Sequence, residues 1–567
     1  MRNFAFRSVV IPVITLAFLV LLLSGGCAGV KKLSEEETQV KHKNILKQLD
    51  KISLEDNIIF QKDSLLGRFL SNIPEIPEFA LVYAPNLDLS HTLKKVSHRT
   101  YHYYDSSHLN GRIVDDFYSK EKGVLMFRGS FKRDMPVSGN VQGIPKKIII
   151  DWVYNTDFNA KKTSLGIWGG GLGWTGQPLL VNWPDTLRQS FKALSDDFKS
   201  KNSVPEVILG SLSGTVFFLD FETGKETRAP IHTNNPIKGT PSVDPRFNGM
   251  LYIGNGVPHT SEFGIHMINL HKHKEQYFYS GHTESVAYRR WGAFDSSPVV
   301  VGDYLYWPGE NGVFYKYSVN NGEIKLMSKL VYRVSGKPNY GIESSLAVYK
   351  NYGYFGDNNG NILCVNLLTM KPVWHYDNID DTDASIVIEV EDGVPYLYTS
   401  CQIDKQPDEG YSYFTKLNGL DGTKVWTNKV RAYAVVQGKS RSDGGMFSTP
   451  LIGKHNANDI IITNITHTKK RRNGELIAFY KSTGKIAYRT HLSAYSWSSP
   501  VAFYNEVGDL YIFTGDVIGN AYLIDGSNGD IIYKRNVGHN FEASPVAWGN
   551  SVVIGSRGRQ IYRLTIE

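Results

Sequence analysis

Acidic residues recur at one position of a repeated sequence motif. The motif is Ser or Thr followed by Pro, and in four repeats the residue three positions before the Pro or its counterpart is a carboxylate: Asp295, Glu343, Asp383 and Glu542. Carboxylate oxygens are ligands that hard cations such as Ca²⁺ accept. If the fold brings this position of every repeat to one place, the sequence predicts a weak site there for a cation such as calcium or for a small polar ligand.

The other repeats place different residue types at the same position. They are Thr175, Lys238, Phe447 and Trp497. Lys238 and Trp497 therefore join the four acids as candidate site residues. The alternative is that the acids accept hydrogen bonds from backbone N–H groups, or pair with Lys238 and nearby arginines. The sequence predicts no catalytic residue and no definite metal ligand.

The motif marks the start of a strand in a repeated unit. Its eight occurrences, two of them without Pro and the first with Gln, are Gln177-Pro178, Thr240-Pro241, Ser297-Pro298, Ser345-Leu346, Ser385-Ile386, Thr449-Pro450, Ser499-Pro500 and Ser544-Pro545. Pro is tolerated where a strand begins because it has no N–H to give to the ladder. A later strand in several units lies between two glycines ten residues apart, as in Gly519 and Gly529. Repeats of this length predict a propeller or a solenoid.

Counting the units predicts an eight-bladed, all-β propeller with four-stranded blades. The seven complete units are residues 166–232, 237–282, 293–330, 340–378, 382–430, 444–492 and 495–538. The last segment, Phe541 to Leu564, supplies only three strands. The upstream segment Lys147 to Tyr154 is apolar and strand-like, so we expect it to complete the eighth blade and close the ring.

The N-terminus has the features of an export signal. Arg2 and Arg7 precede an apolar run from Val9 to Leu23, which is short for a membrane-spanning helix. We expect residues 1–26 to be a signal peptide, 27–60 a lipidated Cys27 with a helical tether, 61–144 an irregular lead-in segment, and 145–567 the propeller. A plain secreted protein and an uncleaved anchor are the alternatives.

Composition excludes several function classes. The net charge of +7 includes Arg2 and Arg7, so the mature chain is only mildly basic and no nucleic-acid partner is expected. Of the three cysteines, Cys364 and Cys401 are expected to be buried free thiols. No disulfide framework is predicted.

The repeats resemble those of the pyrroloquinoline-quinone-type β-propellers. The resemblance covers residues 125–567 and includes a lead-in with Phe127-Arg128-Gly129, Arg133 and Gly139. Tryptophans that dock one blade on the next remain at Trp152, Trp374 and Trp426. This family includes quinoprotein dehydrogenases and non-enzymatic outer-membrane assembly-factor lipoproteins. The dehydrogenases hold their cofactor against a vicinal disulfide, which this chain lacks, so the resemblance to the second type is closer and no enzyme activity is expected.

The resemblance implies a lipid-anchored envelope protein, monomeric on its own, at the outer membrane and facing the periplasm or the cell surface. It would be a binding scaffold for envelope or outer-membrane proteins, without a cofactor. The expected contact loops are Asn182–Ser203, His259–Phe263, Cys401–Tyr411 and Thr466–Asn473. One alternative is a quinone-dependent dehydrogenase. The other is a carbohydrate-binding surface protein, which Trp174, Trp291 and Trp497 at a channel mouth would favour.

Overall fold

A computed structural model describes residues 90–104, 117–135, 139–163, 165–174, 176–338, 340–437, 440–469 and 473–567. The signal peptide, Cys27 and the helical tether lie outside these residues. Residues Ser90–Glu567 form one compact unit. The architecture below is that of this unit.

Eight four-stranded antiparallel sheets follow one another along the chain, so the predicted eight-bladed propeller is confirmed. The first four blades, each from its innermost to its outermost strand, are Leu179–Val181, Glu206–Gly210, Thr215–Asp220 and Ile231–His232; Ser242–Val243, Met250–Gly254, Gly264–Asn269 and Lys274–Ser280; Val299–Val301, Tyr304–Pro308, Val313–Ser318 and Lys325–Val334; and Ala347–Tyr349, Tyr352–Gly356, Asn361–Asn366 and Lys371–Asp377.

The remaining four blades repeat this order. They are Val387–Glu391, Val394–Thr399, Glu409–Asn418 and Lys424–Tyr433; Leu451–Ile452, Ile460–Thr466, Gly474–Tyr480 and Ile486–His491; Val501–Tyr504, Leu510–Gly515, Asn520–Asp525 and Ile531–Asn536; and Val546–Trp548, Ser551–Gly555, Gln560–Ile566 and Ile148–Asn155. We call them blades 1 to 8.

The eighth blade takes its outer strand from the other end of the domain. Ile148–Asn155 pairs antiparallel with Gln560–Ile566, with Ile150 opposite Leu564. This confirms the predicted closure by the segment Lys147 to Tyr154. The pairing satisfies backbone groups that would otherwise form an open edge at the last blade.

Burial within a blade explains its sequence pattern. In blade 7 every residue of the second strand, Leu510–Gly515, is buried, because neighbouring blades cover both faces. The outer strand Ile531–Asn536 alternates between partly buried and exposed residues instead. Continuous apolar runs therefore mark inner strands, and alternating runs mark outer strands. Cys364 and Cys401 are both buried and free, as predicted.

Parts of the lead-in predicted to be irregular are strands. Val96–His102 adds to the outer edge of blade 3 by pairing with Lys325–Val334. Gly123–Val124 pairs with the innermost strand of blade 1, and Gly139–Asn140 pairs in parallel with that of blade 7. No sequence pattern predicts the strand Val96–His102, because its ladder partner is more than 200 residues away and none of its side chains is fully buried.

The other elements are short. The α-helices are Ser90–Leu93, Asp185–Ser190 and Asp196–Ser200, and the 3₁₀ turns are Lys120–Lys122, Asn320–Gly322 and His455–Ala457. Strands outside the blades form the pair Asn159–Thr163 and Gly166–Gly169, the pair Val435–Gln437 and Ser440–Ser442, and the pair Gln402–Ile403 and Gly444–Gly445, which extends the sheet of blade 6. None of the described helices has the length and apolar character needed to cross a bilayer.

Three tryptophans each dock one blade on the next, against a glycine. The indole N–H of Trp374 in blade 4 donates to the carbonyl of Gly419 at 2.9 Å, and its ring lies against Gly422 of blade 5. Trp426 repeats the arrangement one blade later, donating to Lys481 at 2.8 Å and packing on Gly484. Trp152 of blade 8 does the same on blade 1, with Phe221 and Gly224.

The Ser/Thr of the repeated motif forms a hydrogen-bonded chain around the channel. In five pairs of successive blades the backbone N–H of this residue donates to the side-chain hydroxyl of its counterpart in the next blade, and between Thr240 and Ser297 the Ser297 hydroxyl donates to the Thr240 carbonyl at 2.8 Å instead. The bonds join Gln177 to Thr240, Ser297 to Ser345, Ser345 to Ser385, Thr449 to Ser499 and Ser499 to Ser544, at 2.8 to 3.1 Å. At the seam, the N–H of Ser544 donates to the carbonyl of Gly176 at 3.0 Å. The hydroxyl is therefore required by the contact between blades.

The lead-in Phe127–Asp134 fills one end of the channel. Arg128 is fully buried and its guanidinium donates to the carbonyls of Pro500 and Pro450, both at 2.9 Å. Arg133, also fully buried, donates to the carbonyl of Leu346 at 2.7 Å. These carbonyls belong to the second residue of the repeated motif in blades 7, 6 and 4. Two arginines thus hold the innermost strands of several blades from within.

Candidate functional site

The candidate residues occupy equivalent places at the entrance to each blade. Asp295, Glu343, Asp383 and Trp497 each lie four residues before the innermost strand of their blade, which begins at Val299, Ala347, Val387 and Val501, respectively. Because strands alternate in direction, the connection that enters a blade leaves the same face as the connection between its second and third strands. Residues from both connections can therefore meet at one channel mouth. Thr175 lies outside the described residues.

A small cavity, of about 30 Å³, opens at this end of the channel. It reaches down to the Ser/Thr chain, and Phe127 of the lead-in is part of its lining. The lining residues are Phe127, Trp174, Gly176, Gly239, Thr240, Asp295, Glu343, Ser345, Asp383, Ser385, Phe447, Thr449 and Trp497. We call this space the channel cavity. Four of the six sequence-predicted candidates, Asp295, Glu343, Asp383 and Trp497, are in its lining.

The other two candidates lie beside the cavity. Lys238 is buried and forms an ion pair with Asp295, and its ammonium lies 4.5 Å from the centroid of the Trp174 ring. Glu542 is 3.7 Å from the guanidinium of Arg557 and accepts a hydrogen bond from Asn540 at 3.0 Å. The expected alternative, in which acids pair with Lys238 or an arginine, thus describes Asp295 and Glu542.

Three carboxylates meet on one side of the cavity. Asp295, Glu310 and Glu343 each place one oxygen within 4.8 Å of the others. Asp295 Oδ1, Glu310 Oε1 and Glu343 Oε2 are buried and accept no hydrogen bond. Burial and the neighbouring carboxylates raise the pKa of Glu310 well above its usual range and that of Glu343 to about 8. These oxygens are of the type that Ca²⁺ takes.

Asp383 and Asp381 extend this acidic group into blade 5. Asp383 Oδ2 accepts a hydrogen bond from the side-chain amide of Gln402 at 2.6 Å, whereas its Oδ1 is buried without a donor. Asp381 is 4.0 Å from the Lys405 ammonium. Burial raises the pKa of Asp381 and of Asp383, and the Asp383 carboxylate raises that of Asp381 further. We call Asp295, Glu310, Glu343, Asp381 and Asp383 the acidic side of the cavity.

Aromatic rings line the cavity across from the acids. Phe447 and Trp497 are stacked with ring centroids 5.0 Å apart, and Trp174 meets Trp497 edge-on at 5.5 Å. The indole N–H of Trp497 is buried and has no acceptor among the described residues. We call these three residues the aromatic side. The acids come from blades 3 to 5, and the rings come from the entrances to blades 6, 7 and 1, so the two sides face each other across the ring.

Sequence reasoning missed Glu310, Asp381 and the role of Phe127. Glu310 follows the glycine that ends the second strand of blade 3, a place taken by Asn255, Asp357 and Asp516 in other blades. Asp357 and Asp516 accept hydrogen bonds from their own turns, whereas Glu310 does not. Aligning the repeats at this second position would have found Glu310. No repeat position predicts Phe127, because the lead-in occurs once.

The residues present do not fit pyrroloquinoline quinone, the cofactor that the resemblance implies for the enzymes. This quinone carries carboxylates, and the cavity lining already holds three acids, while Lys238 is paired with Asp295. Bringing like charges together at a buried site is unfavourable. Cys364 and Cys401 are on different blades, so no vicinal disulfide can form between them.

No family model matches this sequence, and no curated protein matches it. Among solved structures, the fold is similar to BamB from Moraxella catarrhalis, with 15% sequence identity and a TM-score of 0.43 over 64% of this chain and 93% of that one. It is also similar to a europium-containing methanol dehydrogenase, with 12% identity and a TM-score of 0.40 over 79% and 98% of the two chains. A third similar structure is quinohemoprotein alcohol dehydrogenase from Comamonas testosteroni, with 14% identity and a TM-score of 0.42 over 81% of this chain and 83% of that one. At these identities the likeness concerns the fold alone. The eight-bladed β-propeller that the repeats predicted is the fold of this chain.

Proposed function

We propose that this protein is a non-enzymatic binding propeller of the cell envelope, anchored through a lipid on Cys27, and that it recognises envelope proteins with the channel face that carries the cavity. The observation that carries the proposal is the blind channel. Phe127–Asp134 fills one end, and the buried acids and rings of the cavity lie at the other. Such a site can hold a ligand or a partner's side chain. The chain has no vicinal disulfide of the kind against which the quinoprotein dehydrogenases hold their cofactor.

Loops on the face that carries the cavity support a protein partner. The expected contact loops His259–Phe263 and Cys401–Tyr411 each connect a second strand to a third strand, and such connections lie on the face of the cavity. Thr466–Asn473 follows the second strand of blade 6 in the same way, and its residues 470–472 lie outside the described residues. Cys401–Tyr411 also contacts the acidic side, because Gln402 donates to Asp383. The fourth loop, Asn182–Ser203, connects a first strand to a second strand and therefore belongs to the opposite face.

Exposed apolar side chains on this face add to the argument. The hairpin formed by Asn159–Thr163 and Gly166–Gly169 joins the outer strand of blade 8 to the entrance of blade 1. Phe158, Leu165 and Ile167 at this hairpin are each more than half exposed, at 54%, 58% and 55%. Trp168 of the same hairpin lies 5.8 Å from the ammonium of Lys238, which places the apolar group beside the cavity. Clustered apolar surface of this kind is typical of protein contacts.

Carbohydrate binding is the second candidate, and the ring contacts of the cavity favour it. Trp174 and Trp497 are in contact there, and both are only partly buried. Trp291 instead packs edge-on against Phe263 at 6.1 Å and is not part of the cavity lining. A glycan array read with the wild type and Trp497→Leu would support this candidate if a sugar bound only to the wild type.

Affinity purification from the native envelope tests the scaffold proposal. The wild type and the surface control Glu323→Gln should recover the same defined envelope proteins, while Asp383→Asn and Trp497→Leu should lose them. Cys27→Ser should release the protein from the membrane fraction. Equal recovery by the wild type, Glu323→Gln, Asp383→Asn and Trp497→Leu would place binding away from the cavity. Dye reduction after addition of the quinone and Ca²⁺ would contradict the non-enzymatic assignment.

A further inference from the structure

The channel cavity has an excess of negative charge that the protein itself does not neutralise. Of the five carboxylates of its acidic side, Asp295, Glu343 and Asp383 line the cavity, and Glu310 and Asp381 are next to them. The cations that act on this group are Lys238, already paired with Asp295, Arg289, and Lys405 at 4.0 Å from Asp381. Carboxylates therefore outnumber cations.

Buried carboxylate oxygens without hydrogen-bond donors lie in the cavity wall and next to it. Asp295 has a side chain that is only 2% exposed, it lines the cavity, and its Oδ1 accepts no hydrogen bond. Glu310 is 1% exposed, and its Oε1 also accepts no hydrogen bond. Leaving a buried carboxylate oxygen unpaired is costly, so such atoms either carry a proton or await a positively charged partner. The raised pKa values of Glu310 and Glu343 indicate that protons fill this role when no cation is present.

The aromatic side decides which kind of cation fits. Ca²⁺ takes six to eight oxygen ligands, and the wall across from the acids offers the ring faces and edges of Trp174, Phe447 and Trp497 instead. A ring face attracts a cationic nitrogen and packs against the methylene groups that carry it. An organic cation would use both sides of the cavity, whereas a metal ion would use only one.

Lys238 already shows this mode of binding within the protein. Its ammonium is paired with Asp295 and lies 4.5 Å from the centroid of the Trp174 ring. The neighbouring pair of acids, Glu343 and Asp383, has no lysine of its own but faces the stacked rings of Phe447 and Trp497. The cavity therefore repeats the arrangement of carboxylate and ring at a second place, without the ammonium.

We propose that the channel cavity binds an organic cation, an ammonium or guanidinium group on an apolar stem, with its charge at Glu343 and Asp383 and its stem against Phe447 and Trp497. The inference rests on the proposed binding function and names the chemistry of the ligand. A lysine or arginine side chain of a partner protein has this chemistry, and so does a free amine.

Titration with small probes tests the inference, because Trp497 and Trp174 in the cavity report binding through their fluorescence. The probes are Nα-acetyl-lysine methylamide, Nα-acetyl-arginine methylamide, n-butylammonium, the neutral Nα-acetyl-norleucine methylamide and CaCl₂. We expect saturable binding of the three cations and at least tenfold weaker binding of the norleucine compound. A preference for the amino-acid amides over n-butylammonium would indicate a protein side chain as the source, and the reverse would indicate a free amine.

Variants locate the site and keep the test decisive. Asp383→Asn and Glu343→Gln, each checked for folding by its thermal transition, should weaken cation binding about tenfold, while Glu323→Gln on the surface should not change it. Equal binding of the norleucine compound, or displacement of the organic cations by millimolar Ca²⁺, would overturn the inference. If probes fail but envelope proteins are still lost from Asp383→Asn, the ligand class is wrong and the scaffold function stands. If the probes bind but no envelope protein is recovered, the ligand class is right and the scaffold function is wrong.

Discussion

The guanidinium of Arg128 donates to the carbonyl of Pro500 at 2.9 Å, across 372 residues of chain. The same group donates to the carbonyl of Pro450, so one side chain joins the inner strands of blades 6 and 7. Burial lowers the pKa of Arg128 to about 9, which leaves the guanidinium charged at neutral pH. The channel is thus closed at one end by a cation bound to backbone carbonyls, and the acids at its other end are left for a ligand.

Removal of this side chain should destabilise the propeller. In Arg128→Met, the carbonyls of Pro500 and Pro450 would be buried without donors, at a cost of about 1–3 kcal/mol for each unsatisfied group. We therefore expect the free energy of unfolding, measured by chemical denaturation, to fall by about 2–4 kcal/mol. Arg431→Met, at an exposed ion pair with Glu409, should change it by less than about 0.5 kcal/mol. Equal effects of both variants would show that the lead-in does not hold the ring.

The glycines that receive docking tryptophans should tolerate no side chain. Gly422 has a φ of +73°, and an added Cβ would lie 2.7 Å from the Trp374 ring. Gly322 has nearly the same φ, +74°, but no atom within 4 Å of such a Cβ. We expect Gly322→Ala to cost about 1 kcal/mol from its backbone conformation alone, and Gly422→Ala to cost about 1–3 kcal/mol more from overpacking. Thermal unfolding of the two variants separates these terms, and equal shifts would contradict the docking interpretation.

Loss of a hydroxyl from the Ser/Thr chain should weaken the contact between two blades. Ser499 Oγ accepts the N–H of Thr449 at 2.9 Å, and both groups are buried. Ser499→Ala leaves that N–H without an acceptor and should lower the free energy of unfolding by about 1–3 kcal/mol. In Ser499→Ala the backbone N–H of Thr449 should exchange its hydrogen faster than it does in the wild type. Ser527→Ala in an exposed turn serves as the control, and unchanged protection of Thr449 would contradict the prediction.

The acidic side should make stability depend on pH. Burial, Asp383 and Asp295 raise the pKa of Glu343 from 4.5 to about 8, against the opposing effect of Lys238 and Arg289. Between these two pH values the folded chain binds more protons than the unfolded chain, so the free energy of unfolding should fall as pH rises, by at most about 1.4 kcal/mol per pH unit for one proton. Glu343→Gln should flatten this fall in denaturation curves recorded from pH 5 to 8. An unchanged slope would show that Glu343 does not hold the proton.

Sequence alone determined the repeat and its consequences. The spacing of Ser/Thr-Pro pairs, glycines and tryptophans predicted the eight blades, the closure by Lys147 to Tyr154, and the equivalent position of Asp295, Glu343, Asp383 and Trp497, because each of these is local or recurs in every unit. The sequence also predicted that Trp374 packs between adjacent blades. Cys27 and its lipid anchor remain a prediction from sequence.

Tertiary structure decided what happens in the channel. The pairing of Lys238 with Asp295, the approach of Glu310 and the division into acidic and aromatic sides depend on which blades face each other, and that relation is absent from any single repeat. Arg128 and Phe127 belong to a segment that occurs once and contacts residues hundreds of positions away. Local periodicity fixes each blade because neighbouring residues create it, whereas the cavity arises only when the ring closes and charges from separate blades share one small, poorly solvated space.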